Sequence, residues 1–208
     1  MDRARWWLLA LAFFAIFAAL GWYVSGRAPG APDAGAHALR GEAPHLAFLF
    51  TSLGFWYAIV TVAAIVVLAA FLLARERVWL AIGILVSQFV SQLVVAGCKP
   101  LFHRIRPPDS IGPHLPDFSY PSGHAVTSIV FYASLTALVL ASPGIPRPLR
   151  YALGALGVLF VAGIPWSRLA LGAHYLTDVL GGLAFGLGWV CLTVALLERF
   201  ARMHSAAK

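Results

Sequence analysis

The chain has 208 residues, 61% of them hydrophobic and 11% charged, with a formal net charge of +7. Soluble domains carry about 25% charged residues, so an ordinary soluble domain is excluded. The mean hydropathy of +0.83 reflects apolar runs of bilayer-spanning length, about 20 residues each. The surplus Lys and Arg flank those runs, as helix anchors do, and form no basic stripe of the kind that binds nucleic acid. Cys98 and Cys191 both lie in apolar segments and read as packing residues, without a disulfide framework or metal cluster.

The first run, 6–24, follows Asp2, Arg3 and Arg5. A secretory signal has an apolar core of about 7–15 residues; this run is longer and has no small-residue cleavage site close behind it. It is read as a retained span, with Trp6, Trp7 and Trp22 as interfacial anchors. Ser25 to Pro44 is rich in Gly, Pro and Ala and reads as a loop with room for a short surface helix. Further spans are predicted at about 46–73, 78–98, 125–141, 151–164 and 175–197. A polar, Pro-rich stretch, Lys99 to Tyr120, separates the third from the fourth. A short link, Pro165 to His174, separates the fifth from the sixth.

The fold expected is therefore all-α, a single six-span bundle over 1–208 with both termini on one side. That side collects Arg3, Arg5, Arg75, Arg77, Arg147, Arg150, Arg199, Arg202 and Lys208, and should be cytoplasmic by the positive-inside rule. Arg27, Arg40, Lys99, Arg104, Arg106 and Arg168 fall on the other side. Gly182 and Gly186 in the last span have the spacing that lets helices approach closely.

Three stretches carry polar groups that packing does not call for: Lys99 to Pro107, Pro121 to His124, and Ser167 to Asp178. In a six-span topology all three emerge at the same extracytoplasmic face. Lys99, Arg106 and Arg168 together would repel one another unless an anion sat between them, and phosphate suits both the planar Arg fork and the Lys point charge. Ser122 and Gly123 stand where a helix starts, which favours an anion. His174 and Asp178 are spaced i, i+4 and share a helix face. A carboxylate bound to one ring nitrogen leaves the other free to attack phosphorus. His124 is then suited to protonate the leaving group. No metal is required, because the three cations take over its electrostatic role.

Lys99-x6-Arg106-Pro107, Pro121-Ser122-Gly123-His124 and Ser167-Arg168-x5-His174-x3-Asp178 resemble the three-part signature of the type 2 phosphatidic acid phosphatase family in residue type, order and spacing. The resemblance, with the spans, covers nearly the whole chain. It implies the same roles: His174 nucleophile, His124 acid, Asp178 orienting His174, and Lys99, Arg106, Ser122, Gly123 and Arg168 binding phosphate. It also implies a metal-independent lipid phosphatase with its active site at the extracytoplasmic face; a bacterial inner membrane is the expected location, with a lipid phosphate and the bilayer as partners, no cofactor, and no obligatory protein partner evident. Soluble vanadium haloperoxidases share the signature, but the spans argue against them. Candidate substrates are polyprenyl diphosphate and phosphatidylglycerol phosphate first, then phosphatidic acid and lipid A phosphates. An anion or lipid-phosphate transporter using the same cations is the alternative.

Taken singly, each residue has a plainer explanation. Lys99 could snorkel to the interface, Arg168 could anchor a helix, and His174 with Asp178 could be a structural pair. It is their conjunction at one face that argues for chemistry. His103, Arg104, Asp109, His114 and Asp117 read as loop polar groups, and His37, His45 and His204 as surface residues. Tyr120 and Trp166 read as packing beside the pocket. The 25–44 loop is expected to cover the mouth of the site.

Overall fold

The computed structural model describes residues 4–73, 78–111 and 116–206. Arg3, Arg75, Arg77, His114 and Lys208 thus lie outside the described residues. Among those described, all regular structure is helical: α1 Arg5–Val24, α2 Ala31–Ala36, α3 Pro44–Leu53, α4 Trp56–Leu73, α5 Val78–Phe102, α6 Gly123–Thr127, α7 Ser134–Leu140, α8 Arg147–Ala170 and α9 Leu176–Ala206. A π-helical stretch, Ser128–Ala133, joins α6 to α7 into one rod, Gly123–Leu140.

Among the described residues, five helices are long and apolar enough to cross a bilayer, and α3 with α4 makes a sixth candidate. Those two are bent by 56°, so the single span expected at 46–73 is broken at Gly54 and Phe55. Its unbroken hydrophobicity concealed the break. Gly54 has a specific reason to be there: a Cβ would lie 2.1 Å from His124 Cδ2, so the ring passes where a side chain would stand. Two further differences from the expected boundaries bear on the site. α5 runs on to Phe102 and holds Lys99 in its last turn. α8 continues through Pro165 to Ala170, so Ser167 and Arg168 are helical rather than in a link. Proline is tolerated inside packed membrane helices, where neighbours satisfy the freed backbone groups.

Within a bilayer, close packing and polar contacts hold helices together, because lipid is as apolar as Leu. α1 lies along α9, and Phe17 meets Val95, Tyr120, Val126, Val130, Ala184 and Phe185 in a buried cluster. Gly182 and Gly186 let α9 touch α6: a Cβ on Gly182 would come within 2.5 Å of the Ser122 carbonyl oxygen. Gln88 Nε2 donates to Thr127 Oγ1 at 2.8 Å and Gln92 Nε2 to the Gly123 carbonyl at 3.1 Å, tying α5 to α6. Tyr132, in the π stretch, donates to the Leu53 carbonyl at 2.7 Å. It thereby satisfies an end group of α3 that has no helical partner. Trp22, Trp56 and Trp79 are more than 70% exposed, which in a bilayer is lipid contact rather than an unexplained apolar patch.

Candidate active site

Lys99, Arg106, Gly123, His124, Arg168 and His174 line one cavity of about 590 Å³. The ends of α5, α6 and α8 and the turn before α9 deliver them to the same place. The rest of the lining is largely apolar, with Phe55, Trp56, Ile59, Val95, Ala96 and Pro100. Ser122 and Asp178 lie behind the lining and are fully buried. The Ser122 N–H donates to the Asp178 carbonyl at 3.1 Å, so it is not among the free amides expected at this helix start. Gly123 takes the place at the wall. A Cβ there would lie 3.0 Å from Gln92 Oε1, so glycine lets α5 and α6 close up beside the cavity.

The tautomer of His174 follows from its neighbours. Arg106 Nη1 lies 3.0 Å from His174 Nε2, and a guanidinium only donates, so Nε2 is the unprotonated nitrogen. The proton then sits on Nδ1, which is 3.3 Å from Ser119 Oγ and 3.5 Å from Asp178 Oδ2. Ser119 Oγ in turn donates to Asp178 Oδ2 at 2.5 Å. The direct histidine–carboxylate hydrogen bond expected from the i, i+4 spacing is thus mainly relayed by a serine. Burial first, and then Arg168, Arg106 and Lys99, hold the His174 pKa well below the ordinary histidine range. The imidazole is therefore neutral at neutral pH, with a lone pair beside three cations.

His124 and Arg168 share one support that the sequence did not disclose. His124 Nε2 lies 3.1 Å from the Thr51 carbonyl oxygen, to which it donates, and Arg168 Nη1 donates to Thr51 Oγ1 at 2.5 Å. Thr51 is buried at the end of α3, on a helix that carries none of the motifs. Phe55, at the break that follows, packs edge-on against the His124 ring at 5.0 Å. Arg168 Nε and Ser122 Oγ are buried without a protein partner among the described residues. Two unsatisfied polar atoms at a cationic site suit an anionic ligand.

Lys99 and Arg106 both hold Asp117. Lys99 Nζ lies 2.5 Å from Oδ2 and Arg106 Nη2 2.7 Å from Oδ1. Asp117 was expected to be an ordinary loop group, but its carboxylate is the anion on these two cations. Burial alone would raise its pKa; Lys99 and Arg106 outweigh that and hold the carboxyl below its usual range.

Arg104, also read as a loop group, is 4% exposed. It bridges Asp178 and Asp33 at 2.6 Å each. Loop polarity misled here, because the partners that make burial tolerable stand 71 and 74 positions away. Asp33 belongs to the 25–44 segment, and among the described residues that segment supplies nothing to the cavity lining. It packs behind His174, with His37 and Arg40 on Asp109, and does not roof the mouth. His37, His45 and His103 are exposed, as expected. Tyr120 is a packing residue, wholly buried against Phe17 and Phe102. Trp166 meets Phe50 edge-on.

The family model of the PAP2 superfamily matches residues 78–202. Phosphatidylglycerophosphatase B of Bacillus subtilis is 31% identical over 142 residues, covering 67% of this chain and 69% of that one. An undecaprenyl-diphosphatase of Sulfolobus acidocaldarius is 32% identical over 109 residues, which is 52% of this chain and 47% of that protein. The crystal structure of a transmembrane PAP2-type phosphatidylglycerolphosphate phosphatase from Bacillus subtilis superposes with a TM-score of 0.74. The superposition covers 91% of this chain and 96% of that one, at 22% identity, and is a likeness of fold.

Proposed function

The chain belongs to the PAP2 superfamily, and on that premise we propose that it hydrolyses a membrane lipid phosphate or diphosphate by attack of His174 Nε2 on phosphorus. It is a membrane enzyme of the phosphoric ester or diphosphate hydrolase class. One observation supports the mechanism above the rest: the donor-only Arg106 faces Nε2, so Nε2 is unprotonated and its lone pair, which accepts from Arg106 until substrate takes up the guanidinium, is turned toward the cationic cavity.

The substrate phosphate takes the place of the Asp117 carboxylate between Lys99 and Arg106, and Arg168 Nε serves its remaining oxygens, with the Ser122 hydroxyl in reserve just behind the lining. Nε2 forms the N–P bond as the P–O bond to the lipid breaks. His124 enters this step as the imidazolium, with its Nε2–H held by the Thr51 carbonyl, and gives its Nδ1 proton to the departing oxygen. The imidazolium charge developing on His174 passes toward Ser119 and Asp178. Water, deprotonated by the now neutral His124, then attacks phosphorus; the N–P bond breaks, His174 returns as the neutral imidazole, His124 as the imidazolium, and inorganic phosphate leaves. The cations stabilise the equatorial oxygens in both steps, an effect worth about 10²–10³ in kcat per donor in other enzymes.

The apolar wall of Phe55, Trp56 and Ile59 suits the lipid chain. Phosphatidylglycerol phosphate and polyprenyl diphosphate are the first substrates proposed, in keeping with what the relatives' names say they act on. The site opens on the extracytoplasmic face of a bacterial inner membrane, with both termini cytoplasmic.

The test is inorganic phosphate release by detergent-purified protein from a panel of lipid phosphates, with His174→Ala alongside and EDTA in a parallel series. Release by the wild type alone, unaffected by EDTA, is expected. Binding without release would point to the transport alternative instead.

A further inference from the structure

Asp33 lies outside all three motifs and outside the matched family region, yet it is 3% exposed and ends on charged groups. Its Oδ2 is 2.6 Å from Arg104 Nη2, and Arg104 Nη1 is 2.6 Å from Asp178 Oδ1. Its Oδ1 accepts from the Thr177 N–H and hydroxyl, both at 2.9 Å. The same hydroxyl accepts from Arg104 Nη1, and the Tyr175 ring covers the guanidinium at 4.4 Å. The Arg104 carbonyl also takes the Ser119 N–H at 2.7 Å, placing the serine that relays Asp178 to His174.

Two carboxylates thus share one buried cation. If Arg104 served Asp178 alone, the pair would be neutral and would offer little to an imidazole gaining positive charge. Shared with Asp33, the group keeps one net negative charge. A buried charge is felt strongly at this range, because little water screens it.

We propose that Asp33 is a positioning residue for the reaction: through Arg104 it holds Asp178 in place beneath His174 and leaves the buried group with a net negative charge, so that the segment between α1 and α3 tunes the nucleophile. This rests on His174 being the nucleophile, and the experiment separates the two claims.

The experiment is a charge cycle in the full-length protein: Asp33→Asn, Arg104→Gln and the double variant, with wild type and His174→Ala as controls. The formal charge of the three-residue group is −1 in the wild type. It becomes 0 in Asp33→Asn and −2 in Arg104→Gln, and returns to −1 in the double variant. Asp33→Asn, which is isosteric, should lower kcat about tenfold or more with KM within about twofold, the low end of losses on removing a group that orients a catalytic histidine. The double variant should then turn over faster than Asp33→Asn, a coupling that only interacting sites show. Arg104→Gln leaves two buried carboxylates facing each other and is the variant at risk of misfolding, so the comparison rests on the other two.

A merely structural clamp would make the double variant the slowest and least stable of the series. That result, or an Asp33→Asn kcat within about twofold of wild type, overturns the inference while leaving the His174 reading intact. A His174→Ala variant as fast as wild type overturns both.

Discussion

Asp117→Asn should tighten substrate binding, although it removes a charged group from the site. The carboxylate occupies the two cations proposed to bind the phosphate, at 2.5 Å from Lys99 Nζ and 2.7 Å from Arg106 Nη2. Its side chain is 45% exposed, so the several kcal/mol of a buried pair do not apply. Exposed pairs contribute about 0.2–1 kcal/mol each, and asparagine retains a carbonyl acceptor. About 1 kcal/mol for both pairs together is the reasonable figure, or about fivefold in affinity at 1.4 kcal/mol per tenfold. The wild-type competition should persist across ordinary assay pH. The Asp117 pKa is depressed, so its pairing with Lys99 and Arg106 is fully present above the unfolded value of about 3.9 and fades only as pH falls through the folded one. The assay is KM for phosphate release from a short-chain lipid phosphate in detergent, with vanadate inhibition as an independent measure of anion affinity. Both KM and the inhibition constant should fall. An unchanged or raised KM would show that Asp117 supports the cations rather than competing with the substrate, and the displacement argument would fail.

Other perturbations read other parts of the site. Ser119→Ala removes the relay between His174 Nδ1 and Asp178; kcat should drop about tenfold with little change in KM, and steady-state kinetics will show whether it does. Gly54→Ala places a methyl 2.1 Å from His124 Cδ2 and should displace the proposed acid, lowering kcat while melting and gel filtration stay near wild type. The pH dependence of kcat/KM reports free-enzyme groups. His174 is neutral until pH falls well below 6.5, so activity should be lost only below that value, once the substrate's own titration near about pH 6 is divided out. An acid limb at or above 6.5 would contradict the cationic surroundings described for the ring.

The eight motif residues could be read from the chain because chemistry constrains their type and local spacing, and i, i+4 or PSGH patterns survive without any knowledge of the fold. Their supports could not be read that way. Thr51 holds His124 and Arg168 from 73 and 117 positions away, and nothing in the apolar run around it marks one threonine from another. Arg104 looked solvated because its neighbours in sequence are polar and Pro-rich, whereas its burial depends on Asp33 and Asp178 arriving from either end of the chain. Ser119 is an unremarkable loop serine until the fold sets it under His174. The break at Gly54 was hidden for a related reason: hydropathy counts apolar residues and is indifferent to the direction in which a helix leaves a glycine.

The proposed intermediate carries a covalent bond between phosphorus and His174 Nε2. Phosphohistidine is labile to acid and survives alkali, so turnover of a phosphorus-labelled lipid phosphate can be quenched with base within a turnover and the protein digested and mapped. Label is expected on the peptide that contains His174, absent from His174→Ala and accumulating in a His124 variant slowed in the second step. Label on no peptide, with phosphate still released, would mean direct attack by water and would contradict the mechanism.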